Sequence, residues 1–115
     1  MSIDKSLITG STSTLILKLL AEKDMYGYEM IETLARRSNH TFDLKSGTLY
    51  PILHSLEKND YVESYEEKAG NERIRKYYHI TDKGRAVFKE KQEEWNIYSS
   101  AVNEILNGGN YYVAE

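Results

Sequence analysis

The segment at 46–59 constrains the fold of this chain more than any other stretch. Its apolar residues recur at the i, i+3, i+4, i+7 spacing of one helical face, and they are Leu49, Ile52, Leu53 and Leu56. At about 100° per residue, the opposite face carries Gly47, Pro51, His54 and Lys58. Ser46 is expected to cap this helix, and Asn59 and Asp60 to end it. The segment is therefore predicted to bury its leucines and to leave a polar side free for binding.

Two more helices are predicted before this segment. The first covers about 12–23, with N-cap candidates at 11–14 and an apolar stripe at Leu15, Ile16, Leu19 and Leu20. The second carries the stripe Gly27, Met30, Ile31 and Leu34, and Arg36 and Arg37 suit its C-terminal end. Residues 38–45 are expected to form a loop between the second and third helices.

Two β-rich runs follow at 61–67 and 74–81, separated by the turn-forming residues 69–71. They predict a hairpin whose second strand is basic, since 68–79 contains Lys68, Arg73, Arg75 and Lys76 against Glu72 alone. Arg75 and Lys76 are adjacent, so they point to opposite sides of a regular strand and are expected to have different roles.

The longest predicted helix covers about 82–106, with a cap at Thr81 and Asp82. Phe88, Trp95 and Val102 recur every seven residues, and three residues after each come Lys91, Tyr98 and Ile105. This short heptad pattern has one polar member and needs a partner surface. A second copy of the chain is the simplest partner, so Phe88, Trp95, Tyr98, Val102 and Ile105 are predicted to form a homodimer interface.

The order helix, helix, helix, hairpin, long helix predicts a mainly α (α+β) fold, namely a winged helix-turn-helix with a long C-terminal dimerisation helix. We expect a DNA-binding domain at 1–81, the dimerisation helix at 82–108 and a flexible tail at 109–115. The chain has 115 residues, which fits one small domain.

Composition argues against several classes of protein. The chain has no cysteine, which excludes disulfides and thiol chemistry and fits a reducing compartment. Its three histidines lack the spacing of metal ligands, and no catalytic or nucleotide-binding motif occurs, so no enzyme activity, metal or cofactor is expected. No signal peptide and no membrane span is evident, which predicts a cytoplasmic protein. The net charge of −3 is a weak guide, because DNA binding needs only a local basic surface.

Three motifs resemble those of the PadR family of bacterial transcription regulators. They are Tyr26-Gly27-Tyr28-Glu29, the run SGTLYPILHSLE at 46–57, and the run KYYHITDKG at 76–84. The single C-terminal helix is similar to the short members of the family, which include a lactococcal multidrug-responsive repressor.

The resemblance implies a repressor that dimerises through its first and last helices and binds an inverted-repeat operator in double-stranded DNA. It further implies a pore at the dimer interface in which Trp95 stacks a planar aromatic effector. The positions that match the pore lining are Ser13, Thr14, Leu17, Trp95, Ser99 and Val102. Without the resemblance, a lone tryptophan on an apolar stripe is more often core or interface than a ligand platform.

An α-helix fits the major groove of DNA, so the third helix is the expected reader of base edges. Its candidate contacts are Ser46, Gly47, Thr48, Tyr50, Pro51 and His54. Arg73, Arg75 and Lys76 are candidates for phosphates or the minor groove, and Tyr26 and Tyr28 for the phosphate backbone.

Plainer roles remain open for these residues. Ser46 could be only a cap, Tyr50 could pack on the second helix, and the basic strand could be an ordinary charged edge. A winged helix can also serve as a protein-interaction module, which the acidic total charge would suit, and a DNA binder need not have an effector.

Overall fold

The computed structural model describes residues 3–70 and 73–108. Its elements in chain order are α1 (Lys5–Glu22), β1 (Met25–Tyr26), α2 (Gly27–Arg37), α3 (Ser46–Lys58), β2 (Val62–Ala69), β3 (Arg73–Ile80) and α4 (Asp82–Gly108). The strands form one antiparallel sheet in the order β1-β3-β2. The predicted mainly α winged helix with a long C-terminal helix is confirmed. The predicted tail at 109–115 lies outside the described residues.

The core lies where α1, α2 and α3 meet one face of the sheet. Its most completely buried side chains are Ile16, Leu17, Leu20, Met30, Leu49, Leu53, Val62, Tyr78 and Ile80. Removing each large aliphatic side chain from water contributes about 1.5–3 kcal/mol, so this small set accounts for much of the favourable free energy of folding. Burial alternates along β3, where Tyr78 and Ile80 point into this core and Tyr77 and His79 point away from it.

The predicted start of the first helix was wrong. α1 begins at Lys5, and the carboxylate of Asp4 caps it by accepting a hydrogen bond of 2.9 Å from the backbone N–H of Ser6. The hydroxyl-bearing run at 11–14 lies inside the helix, where Thr12 donates to the Ile8 carbonyl at 2.6 Å. The extra turns bring Ile3 and Leu7 alongside the long helix, and both side chains are exposed.

One other local prediction was wrong, and one strand was not predicted. The N-cap of α3 is Lys45, which makes no side-chain capping bond, and Ser46 is the first helical residue. The strand β1 was not predicted. It has only two residues and exists because Met25 and Tyr26 pair with Tyr78 and Tyr77.

The joint between the sheet and α4 follows the prediction. The Thr81 hydroxyl oxygen accepts a hydrogen bond of 3.0 Å from the Gly84 N–H, and the same hydroxyl donates to the Asp60 carbonyl at 2.6 Å. Gly84 lies so close to the Tyr61 carbonyl that a Cβ there would overlap it. α4 then runs for 27 residues to Gly108, slightly beyond the predicted end, in a structure 70 Å long. None of the helices in the described residues is both long and apolar enough to cross a bilayer.

Candidate nucleic-acid interface

The polar face of α3 is open to solvent. Leu49, Leu53 and Leu56 are buried, as their spacing predicts. Every residue of this helix proposed to contact DNA is exposed: Ser46, Gly47, Thr48, Tyr50, Pro51 and His54. Pro51 has no backbone N–H to donate within the helix, and its ring lies on this exposed side. The arrangement can present hydroxyl, imidazole and methyl groups to a flat or grooved polymer.

Tyr50 takes part in both the surface and the packing. Its hydroxyl and the adjoining ring carbon lie against Gly27 at the start of α2, where a Cβ would overlap them. The side chain is still 38% exposed. Tyr50 therefore packs on the second helix, which was the plainer of its two expected roles, and it also remains part of the exposed face.

Lys76 adds a positive charge close to the buried Tyr78. The ammonium group of Lys76 is 5.6 Å from the centre of the Tyr78 ring, on the side of the sheet that packs against the helices. Burial raises the pKa of Tyr78, the charge of Lys76 lowers it, and the nearby Glu57 and Tyr50 add to the rise. Tyr78 thus interacts electrostatically with both Lys76 and Tyr50.

Arg75 lies on the other side of the sheet, as its place in the strand predicts. Its guanidinium carbon is 4.3 Å from the centre of the Tyr26 ring. Tyr28, in the first turn of α2, is 60% exposed, and Arg73 at the start of β3 is exposed as well. The basic residues of the wing therefore lie on opposite faces of the sheet, with Lys76 near Tyr78 and Arg75 over Tyr26, just before α2.

A carboxylate ties the wing to the helices. Asp24, between α1 and β1, accepts a hydrogen bond of 2.7 Å from the Tyr65 hydroxyl and lies 2.8 Å from Nδ1 of His79. Partial burial opposes ionisation of Asp24, but the hydrogen bonds from Tyr65 and His79 outweigh it and lower the pKa of the carboxyl. The same bond raises the pKa of Tyr65 to about 12. Sequence reasoning did not find this cluster, because its members are far apart in the chain.

An open groove of about 810 Å³ lies between α1 and α4. Of the positions matched to a ligand pore, Thr14 and Trp95 line it, and Phe88 and Tyr98 from the predicted dimer interface do so too. Ser13, Ser99 and Val102 are partly buried and do not line it.

Leu17 was expected to line the pore, and the structure does not support this. The side chain is completely buried in the core. Ile3 and Leu7 line the groove and were missed. Leu7 and Thr14 are seven residues apart on α1, a spacing that places them on one helical face and was the available signal.

Within 3–70 and 73–108, no group of three or more acidic or histidine side chains is placed to hold a metal ion. The three histidines of the sequence differ in their surroundings. His54 is exposed on α3, and His79 is engaged by Asp24.

Comparison with known proteins identifies the family. The chain matches the model of the transcriptional regulator PadR-like family over residues 16–90, which covers α2, α3, the hairpin and parts of α1 and α4. It is 31% identical over 93 residues to a transcriptional regulator of Mycobacterium tuberculosis, a match that spans 81% of this chain and 80% of that protein.

Solved structures agree with this match. A transcriptional regulator from Clostridium thermocellum superposes with a TM-score of 0.80 at 38% identity, over 89% of this chain and 96% of that one. A PadR-like transcriptional regulator from Bacillus cereus gives the same TM-score at 31% identity, over 90% and 98%. As a family of DNA-binding regulators, these proteins are not enzymes. The chain belongs to the PadR-like family of transcriptional regulators.

Proposed function

We propose that this protein is a homodimeric repressor that acts in the cytoplasm by placing α3 in the major groove of operator DNA. The observation that carries the proposal is the exposed polar face of α3. Thr48 and His54 are the candidate base readers on that face, since a threonine can offer both its hydroxyl and its methyl group to a base edge. Bound across a promoter, such a dimer would obstruct transcription.

The net charge of −3 does not oppose this function. Arg73, Arg75 and Lys76 lie on β3, and although Glu66 and Glu67 of β2 lie opposite Lys76 and Arg75, no ion pair joins them within the described residues. DNA would meet the basic strand and the helix surface, and the contact would be strongly salt-dependent because each phosphate contact releases counterions.

Exposed apolar side chains on α4 support dimer formation. Five large ones are more than half exposed, namely Trp95, Ile97, Tyr98, Ile105 and Leu106. Trp95, Val102 and Leu106 fall within about 40° of one another around the helix axis, so they form a stripe. A second copy would bury this stripe by two-fold symmetry. The pair of α3 helices would then read an inverted repeat whose halves lie about 34 Å apart.

The groove between α1 and α4 is the proposed effector site. It is lined mainly by apolar side chains, and the indole of Trp95 is 53% exposed there. Two such indoles facing each other across a dimer axis would stack a planar aromatic molecule between them. Thr14, Trp95 and residues of the partner copy are proposed to form this site, with Ser13, Ser99 and Val102 at its margin. Leu17 is excluded by its burial.

The DNA function is tested by selecting bound duplexes from a random pool and titrating the recovered duplex in a mobility shift. Thr48→Ala is expected to weaken binding to the recovered duplex by roughly 0.5–1.5 kcal/mol, because a single hydrogen bond to a base is lost. Binding to an unrelated duplex should not change. Thr9→Ala removes an exposed hydroxyl from α1 and is the matched control, expected to bind like the unaltered protein.

Failure to enrich any sequence, together with no shift of any duplex at low salt, would contradict the DNA function. That result would favour the alternative in which the winged helix binds another protein.

The effector site is tested by tryptophan fluorescence, since Trp95 is the only tryptophan in the chain. A planar cationic dye is expected to quench the emission saturably and to release the protein from its selected duplex. An unchanged emission at saturating dye would show that Trp95 serves only to hold the dimer together.

A further inference from the structure

The guanidinium of Arg75 is held over an aromatic ring on the outer face of the sheet. Its central carbon lies 4.3 Å from the centroid of Tyr26. The strand register explains the contact, because Tyr26 pairs with Tyr77 and Arg75 is therefore its diagonal neighbour on the same face. Diagonal neighbours in an antiparallel pair are within reach of long and aromatic side chains.

The cross-strand neighbour of Arg75 is an acid, yet Arg75 does not pair with it. Glu67 lies directly opposite Arg75 in β2. None of the ion pairs formed among residues 3–70 and 73–108 includes Arg75. Its positive charge is therefore available to an external anion, although a carboxylate stands nearby.

The ring of Tyr26 is itself held in place by other tyrosines. Its edge packs against Tyr77, with ring centroids 5.5 Å apart and planes at 75°. Tyr77 stacks on Tyr65 at 5.7 Å and 14°, and the Tyr65 hydroxyl donates to Asp24. The support for Arg75 thus extends through three rings to the end of α1.

A guanidinium stacked on a ring keeps its donors free. When a guanidinium stacks by its flat face, its N–H bonds lie in the plane of the group and point outward. A phosphate could then be bound by these N–H groups without disturbing the stack. Holding the long side chain beforehand also reduces the rotamer freedom that is lost on binding.

We propose that Tyr26 is a positioning residue, whose ring, and not its hydroxyl, holds Arg75 for a phosphate of the DNA backbone. This inference rests on the proposed DNA-binding function. It makes the start of α2 and the wing one phosphate-binding unit, and it departs from the expectation that Tyr26 contacts the backbone through its hydroxyl.

The test compares Tyr26→Leu, Tyr26→Phe and Arg75→Ala in the full-length chain. The measurement is the affinity for the selected duplex and for a random duplex of equal length, by fluorescence anisotropy at several salt concentrations. Arg75→Ala should reduce the slope of log affinity against log salt by about one unit for each Arg75 side chain that contacts a phosphate. At roughly 0.1 M salt, that change corresponds to about tenfold weaker binding of both duplexes.

Tyr26→Leu should reproduce the change of slope, and Tyr26→Phe should retain the original slope. The double variant with Tyr26→Leu and Arg75→Ala should be no weaker than Arg75→Ala alone, since both changes remove the same contact. The inference is overturned if Tyr26→Phe reduces the salt slope as much as Tyr26→Leu does. It is also overturned if Arg75→Ala alters the slope and Tyr26→Leu does not. It is equally overturned if Arg75→Ala leaves the slope unchanged.

An unaltered protein that binds neither duplex would refute the DNA function itself, which is a different result. Thermal unfolding of each variant shows whether Tyr26→Leu is folded. If Tyr26→Leu is unfolded, NMR of the unaltered protein tests whether Arg75 stacks on Tyr26. The Arg75 side-chain protons should show upfield ring-current shifts both free and bound to DNA, and shifts typical of a solvated arginine would refute the stacking.

Discussion

Two glycines show how single residues determine the approach of one element to another. Gly27 leaves room for the Tyr50 side chain where α3 meets α2, and Gly84 leaves room for the Tyr61 carbonyl where α4 leaves the sheet. Neither glycine has the positive φ that would require its conformational freedom. Each glycine is needed because a Cβ at its position would clash with the neighbouring element. A sequence motif can indicate that a glycine is required, but only the packing shows why.

Gly84→Ala is expected to lower the free energy of unfolding by roughly 1–3 kcal/mol, because the added methyl group overlaps backbone and cannot be relieved by a side-chain rotation. Chemical denaturation of the DNA-free protein measures the change. Gly47→Ala is the control, since nothing lies within 4 Å of its added Cβ. It should leave the stability unchanged or raise it by up to about 1 kcal/mol. Equal losses in the two variants would contradict the packing argument.

At the scale of elements, Asp24 joins the end of α1 to both strands of the wing. It accepts a hydrogen bond from Tyr65 on β2 and contacts His79 on β3. Because its folded-state pKa is lowered, the ionised carboxyl stabilises the fold above the unfolded value of 3.8. That stabilisation is lost as the pH falls through the lowered folded-state value.

Asp24→Asn is therefore expected to destabilise the protein more at neutral pH than below about pH 3. The measurement is urea unfolding of both proteins across this range, where the difference between them should narrow as the pH falls. In a Tyr65→Phe background the difference at neutral pH should be smaller, since one of the hydrogen bonds to the carboxylate is absent. A difference that is the same at every pH would rule out the ionised form as the stabilising one.

Periodic elements could be predicted from the sequence, and contacts between elements could not. α3, the hairpin and α4 follow from the spacing of their apolar residues, since that spacing reflects burial on one face. β1 has too few residues for any periodicity and depends on pairing with β3. The burial of Leu17 and the contact of Arg75 with Tyr26 depend on helix rotation and strand register, which no local pattern encodes.

On the scale of the whole molecule, one side of α4 is apolar and exposed. The rest of the fold covers only the first turns of this helix. Phe88 packs against the core, but Tyr98, Ile105 and Leu106 farther along remain exposed. A stripe of this kind on a protruding helix is unfavourable in water unless another surface covers it. The elongated shape is therefore expected to belong to one half of a symmetric pair.

Val102→Glu is expected to convert a dimer into a monomer, because it would bury a charge in the paired stripe. Light scattering coupled to size exclusion should then give 13.3 kDa and not twice that mass. Ile97→Glu is the matched control, since Ile97 is 67% exposed and lies about 140° from Val102 around the helix. It should remain dimeric, and dissociation of both variants, or of neither, would refute the proposed interface.

The joint at Thr81 has a mechanical consequence. A single residue separates the last wing strand from α4, and its backbone and hydroxyl are bonded to the Asp60 and Tyr61 carbonyls. Because this connection is short and hydrogen-bonded, α4 and the wing should move as one rigid unit. α4 is about 40 Å long, so it forms the long arm of that unit and the wing forms the short arm. If the two α4 helices of a dimer tilted relative to each other, the two hairpins would rotate through the same angle. A change in the crossing angle of the α4 helices would therefore change the positions of the two wings on a bound duplex.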